Sequence, residues 1–182
     1  MHRATLFFAV CCAAAASSAH ADGLTLSSPT LHDGGMLPIT QVYDGFGCHG
    51  GNRSPALRWT AGPQGTKAYA LTVYDPDAPT GSGWWHWVVI DLPAPVRELP
   101  AGAGIADTHL PAGARMLRND FGTAAFGGAC PPAGDPAHRY QFTLYALDAA
   151  LSLPADASPA LAGFMIHAHT LTSARLTVRY GR

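Results

Sequence analysis

The sequence predicts a single, mainly β domain: an antiparallel, β-rich fold with few helices. Three observations predict it. The chain has 182 residues, which suits one domain. Its strongest apolar segments alternate with a period of two. Turn formers are abundant, with 20 Gly and 15 Pro, so many short connections and irregular loops are expected. Hydrophobic residues make up 48% and charged residues 13%. That is enough apolar material for one sizeable core, and too little charge for a disordered chain.

The elements follow in chain order. Arg3, an apolar run from Leu6 to Ala16 and the small-x-small triplet Ala19-His20-Ala21 predict a signal peptide over residues 1–21, cleaved before Asp22. The apolar run is too short to span a bilayer. Phe8-Ala9-Val10 is a poor lipoprotein signal before Cys11 and Cys12. Residues 22–182 are then expected as one domain, periplasmic or secreted, with no transmembrane segment. They keep 10 of the 11 basic and all 12 acidic residues, a net charge of −2. Nothing forms a basic stripe, so nucleic acid is not an expected partner. Cys48 and Cys130 remain, and export makes a disulfide between them the default expectation.

Strong alternation marks strands over 69–74, 86–91, 139–147 and 174–180. In the third, Tyr140, Phe142, Leu144 and Ala146 share a face. In the fourth, Leu176, Val178 and Tyr180 point inward. Weaker strand candidates are 24–28, 39–43 and 56–60. Residues 92–104 read as a long surface connection, and a short helix is expected near Asp107 to Gly113. One helix is well signalled: Ser158 is a good N-cap and Pro159 suits the first helical position. Its periodicity places Leu161, Phe164, Met165 and Ala168 on one face.

The chemistry sits at strand ends. Asp75 closes one strand and His86 opens the next. If these are antiparallel neighbours, both residues lie at one end of the sheet. His138 and Tyr140 open another strand and, two apart, point to the same face. The Gly/Pro-rich turn 127–138 precedes them. Two imidazoles, a carboxylate, a phenol and backbone donors suit phosphate or another small oxyanion. Asp75 is expected to accept from an imidazole N–H and fix its tautomer, or to meet an ammonium group. Asp77, between prolines, reads first as a turn cap. Alternation places Trp85 and Trp87 on one face and His86 on the other. No ligand signature predicts a metal. Cys130 with His138 would make a nucleophile and base only if the thiol were free, and no G-x-S-x-G elbow is present.

These residues carry a resemblance. Asp75-Pro76-Asp77-Ala78-Pro79 followed by His86, and Gly128, Pro131-Pro132 followed by His138-Arg139-Tyr140, resemble the two signatures of the phosphatidylethanolamine-binding protein family. These proteins are also called Raf-kinase-inhibitor-like proteins. The run Cys48 to Trp59 (CxGxNxSPxLxW), Asn119-Asp120-Phe121-Gly122 and the closing Tyr180-Gly181-Arg182 resemble the bacterial YbhB/YbcL branch. The resemblance covers essentially all of residues 22–182. It implies a central antiparallel sheet, a second smaller sheet and a few peripheral helices. It also implies an anion pocket formed by Asp75, His86, His138 and Tyr140, with Ala78, Pro79, Gly128 and Pro132 around it. Ala129 stands where relatives often carry proline, and no counterpart of the eukaryotic C-terminal helix is evident after Tyr180. The expected function is a non-enzymatic binding protein for a small phosphate-containing ligand or a phospholipid headgroup. The alternative is a protein-interaction module acting as a serine-protease or kinase-type inhibitor. No cofactor or metal is expected, and a homodimer is left open.

Overall fold

The computed structural model describes residues 23–182. The expected leader, its cleavage site before Asp22, and Cys11 and Cys12 lie outside the described residues. The strands are β1 (Leu26–Ser27), β2 (Asp44–Gly45), β3 (Cys48–His49), β4 (Leu57–Trp59), β5 (Ala68–Asp75), β6 (Trp84–Pro93), β7 (Glu98–Leu99), β8 (Arg115–Met116), β9 (His138–Leu147) and β10 (Thr170–Tyr180). A single helix, α1 (Pro159–His169), precedes β10 among the described residues. The central sheet has the order β10-β9-β5-β6-β8, a smaller one has β1-β4-β7, and β2 pairs with β3 as a hairpin. The strand pairs are antiparallel.

The central sheet is buried on both faces, which explains its near-continuous apolar middle strands. Leu71, Val73, Val89, Phe142 and Leu144 join Leu57, Trp59 and Leu99 of the small sheet in one core. Ala70, Val88, Ile90 and Leu147 face the other way, where Ala162 and Ile166 of α1 cover them. Burying a Leu, Ile or Val side chain contributes roughly 1.5–3 kcal/mol, so these two layers hold the strands in place. Leu176 and Val178 of β10 are buried, with Arg175 and Arg179 outside, as the alternation predicts.

Four expectations are corrected. Residues 39–43 form no strand. Pro38 opens a single 3-10 turn, Ile39–Gln41, in which Gln41 N donates to Pro38 O at 3.0 Å. Val42 keeps only an isolated bridge to Ala129. Residues 92–104 are not merely a surface connection, because Leu99 in β7 pairs with β4 and is 1% exposed. Near Asp107 to Gly113 there is a single 3-10 turn, Asp107–His109, rather than a helix. The helix starts where predicted, with Leu161 N donating to Ser158 Oγ at 3.1 Å. Its buried side is Ala162 and Ile166, while Leu161 and Phe164 are 41% and 70% exposed.

Candidate functional site

Antiparallel pairing brings three strand ends together. The last residue of β5, Asp75, lies opposite Trp84, the first of β6. Strand β9 runs antiparallel to β5 on its other side, so its first residues, His138 to Tyr140, reach the same edge. A β-bulge then sets the aim of His86. Val73 is opposite Trp87 and Tyr74 opposite Trp85, which leaves His86 as an extra residue on β6. Bulges re-aim side chains in this way. Trp85 packs on the helix side of the sheet and Trp87 in the opposite core. His86 faces Tyr140, ring centroids 5.2 Å apart. The expectation that Trp85 and Trp87 share a face is therefore corrected: simple alternation does not survive the inserted residue.

Around these ends lies a cavity of about 150 Å³. Asp75, His86, His138 and Tyr140 line it, with Ala78, Pro79 and Pro132 as walls. Gly128 sits one step behind. Its carbonyl is 3.1 Å from His86 Nδ1 and its N–H donates to Asn52 Oδ1 at 2.7 Å. A Cβ on Gly128 would stand 2.3 Å from Gln41 O, so only glycine allows this close passage of two backbones.

The polar groups fall into an inner and an outer arrangement. His138 Nδ1 donates to Asp75 Oδ2 at 2.8 Å, and Asp77 N donates to Asp75 Oδ1 at 2.8 Å. Asp75 is 3% and His138 4% exposed. His138 Nε2 lies 3.5 Å from Asp135 Oδ2. His86 Nδ1 is 2.8 Å from Gly127 O. Burial pushes the His86 pKa below its ordinary value, against the Gly127 carbonyl and Asp75, which favour the charged ring. Burial, with Asp75 second, pushes the Tyr140 phenol well up. Three cavity-lining residues hold buried polar atoms with no partner among the described residues: Trp84 Nε1, His86 Nε2 and Tyr140 OH.

Asp77 does not cap its own turn. It accepts from Arg139 N at 2.8 Å and pairs with the Arg139 guanidinium at 2.9 and 2.6 Å. That side-chain bond holds its carboxyl below the usual range, and the link ties the loop after β5 to β9.

Two aromatic wall residues carried little sequence signal. Phe46 is 70% exposed and lines the cavity mouth from the β2–β3 turn, at φ 53 between two glycines. Phe121 stacks against both Tyr43 and Phe46, at 4.3 and 5.7 Å, and meets His86 edge-on at 5.4 Å. The Asn119–Gly122 motif reads from its residues as a turn, and only the family resemblance suggests a wall role for it at the pocket. Phe46 lay in no recognised pattern. The hairpin that carries it is tied to the opposite wall twice. Cys48 is disulfide-bonded to Cys130 with Cα atoms 6.0 Å apart, and Arg182 donates to Pro131 O and Gly47 O at 2.7 and 2.9 Å. The bond leaves Cys130 no free thiol to act with His138. Among the described residues, no three His, Cys, Asp or Glu side chains cluster so as to hold a metal ion. No helix among them is long and apolar enough to cross a membrane.

Comparison with known proteins adds sequence and fold. The family model for phosphatidylethanolamine-binding protein matches residues 27–181. The YbcL protein of Escherichia coli strain K12 is 50% identical over 165 residues, 90% of each chain. The YbhB protein of the same strain is 48% identical over 158 residues, covering 86% of this chain and 99% of that one. The crystal structure of E. coli YbcL, described as a new member of the mammalian PEBP family, superposes with a TM-score of 0.85, covering 87% of this chain and 98% of that one.

Proposed function

This chain belongs to the phosphatidylethanolamine-binding protein family, in its YbhB/YbcL branch, and from that membership we propose a binding protein whose cavity takes phosphate-like anions. The observation that carries the reading is the set of unpartnered atoms, Trp84 Nε1, His86 Nε2 and Tyr140 OH. A buried polar atom without a partner costs about 1–3 kcal/mol. Three around one cavity make sense if a polar ligand completes them. At about 150 Å³ the cavity is smaller than the roughly 300–1,000 Å³ of a drug-sized site. It suits a phosphate-sized head, with any attached group outside, over Phe46.

Asp75 does not argue against an anion. Although it lines the cavity, each of its oxygens already accepts a hydrogen bond, one from His138 and one from the Asp77 N–H, which spreads its charge over donors of the protein. No catalytic step is assigned: Cys130 is in a disulfide, and a buried phenol with a raised pKa is a donor, not a base. The reading includes export, on the strength of the leader pattern in residues 1–21 and a disulfide that suits an oxidising compartment.

Titration calorimetry with inorganic phosphate and with phosphoethanolamine tests the ligand class. A saturable one-to-one isotherm, weakened in His138→Ala, is expected. Flat isotherms for both would overturn the reading. Mass spectrometry of exported protein should find Asp22 as the first residue.

A further inference from the structure

The tautomer of His86 constrains which anions fit. Its Nδ1 lies 2.8 Å from Gly127 O and 3.1 Å from Gly128 O. Carbonyl oxygens only accept, so Nδ1 carries the ring proton. The residue lines the cavity and is 3% exposed, and its Nε2 is buried with no partner among the described residues. A neutral ring protonated on Nδ1 presents a lone pair there. A ligand that reaches His86 must therefore bring a hydrogen to Nε2, not another lone pair.

We propose, on the basis of the anion reading above, that the cavity selects tetrahedral oxoanions that retain a protonated oxygen. The P–OH donates to His86 Nε2, and the charged oxygens accept from Tyr140 O–H and Trp84 Nε1–H. The class is hydrogen phosphate or a singly protonated phosphomonoester. Sulfate and phosphodiesters carry no such proton near neutral pH and leave the His86 lone pair facing an acceptor.

The surroundings of the ring support this. The charged or titratable groups around it are Asp75 from β5, His138 and Tyr140 from β9 and Asp120 from the loop after β8. Burial, the largest influence, opposes a charge on the ring; the two glycine carbonyls, Asp75 and Asp120 favour one. Tyr140 keeps its proton, because burial raises its pKa. An ammonium beside a phosphodiester would offer His86 the same kind of hydrogen, so the test separates the two sources.

Calorimetry at about pH 8, using general donor chemistry, compares inorganic phosphate with sulfate. Both are tetrahedral dianions there, and they differ by one O–H. Phosphate is expected to bind about 10-fold more tightly, the scale of one hydrogen bond made against one acceptor left facing a lone pair. Methyl phosphate should approach inorganic phosphate at low pH and weaken as pH rises through its second ionisation near about 6. His86→Gln, whose amide both donates and accepts, should lose most of the discrimination. Equal binding of phosphate and sulfate by the wild type would overturn the proposal. So would discrimination that persists undiminished in His86→Gln. If glycerophosphoethanolamine, a diester with an ammonium, binds as phosphate does while methyl phosphate stays weak at low pH, the hydrogen comes from the ammonium and the P–OH assignment is overturned. No heat with any of these ligands would overturn the anion reading itself.

Discussion

His138 Nδ1 donates to Asp75 Oδ2 across 2.8 Å, with side-chain exposures of 5% and 4%. The two residues are 63 apart in sequence and meet because one closes β5 and the other opens β9. The pair fixes the imidazole's tautomer, and Nε2 at the other side of the ring lies 3.5 Å from Asp135 Oδ2.

Asp75→Asn should weaken phosphate binding although it removes a negative charge. The amide keeps one acceptor oxygen and turns N–H groups toward His138 Nδ1–H or Asp77 N–H. Stability should fall by about 1–3 kcal/mol in urea titration, the cost of an unmet buried hydrogen bond. Phosphate binding equal to or tighter than wild type would mean that Asp75 acts only through its charge.

The burial of His86 sets a pH dependence. Its folded pKa lies below the ordinary 6.5. Between 6.5 and the lower folded value, the unfolded chain binds a proton that the folded chain does not. Its contribution is complete above 6.5 and is lost as pH falls through that window. Urea midpoints should decline with falling pH there, less steeply in His86→Gln. The same slope in both proteins would contradict a ring held neutral.

Replacing both Cys48 and Cys130 by Ser should cost roughly 2–4 kcal/mol, because the bond closes a separation of 82 residues in the unfolded chain. It should also weaken phosphate binding, since it frees the hairpin that carries Phe46. Thermal and urea unfolding measure the first effect and calorimetry the second. A double variant as stable as wild type would count against the staple.

The helix offers a contrast between two apolar residues. Ile166 is 2% exposed and Phe164 70%. Ile166→Ala should cost about 2–5 kcal/mol, whereas Phe164→Ser should change stability by no more than about 0.5 kcal/mol. A large loss from Phe164→Ser would mean that this face of α1 is covered.

Much of this architecture was legible in the sequence, for physical reasons. β10 alternates because it buries one face, β5 and β6 read as strands because they are short apolar runs buried on both faces, and Ser158-Pro159 marks the helix start. Strand ends suggested that Asp75 and His86 meet, and that His138 and Tyr140 share a face; grouping all four in one pocket rested on the family resemblance. The bulge at His86 was not legible, because an inserted residue leaves no local sign and reverses the side of Trp85. The helix face was misread because α1 is apolar nearly all round; packing against Val88 and Ile90, not periodicity, selects Ala162 and Ile166. Pro38 turned 39–43 away from a strand. Phe46 was invisible because its position depends on the hairpin being tied across to Cys130 and Pro131.

The proposal of an anion pocket is tested most directly by Tyr140→Phe, measured twice. The hydroxyl has no partner among the described residues and is buried. Its loss should leave the ligand-free protein equally or more stable, by up to about 1–3 kcal/mol. Phosphate affinity in calorimetry should nevertheless fall, by roughly 10-fold or more for a bond to a charged oxygen. A variant that is as stable as wild type and binds phosphate undiminished would contradict the pocket as an anion site.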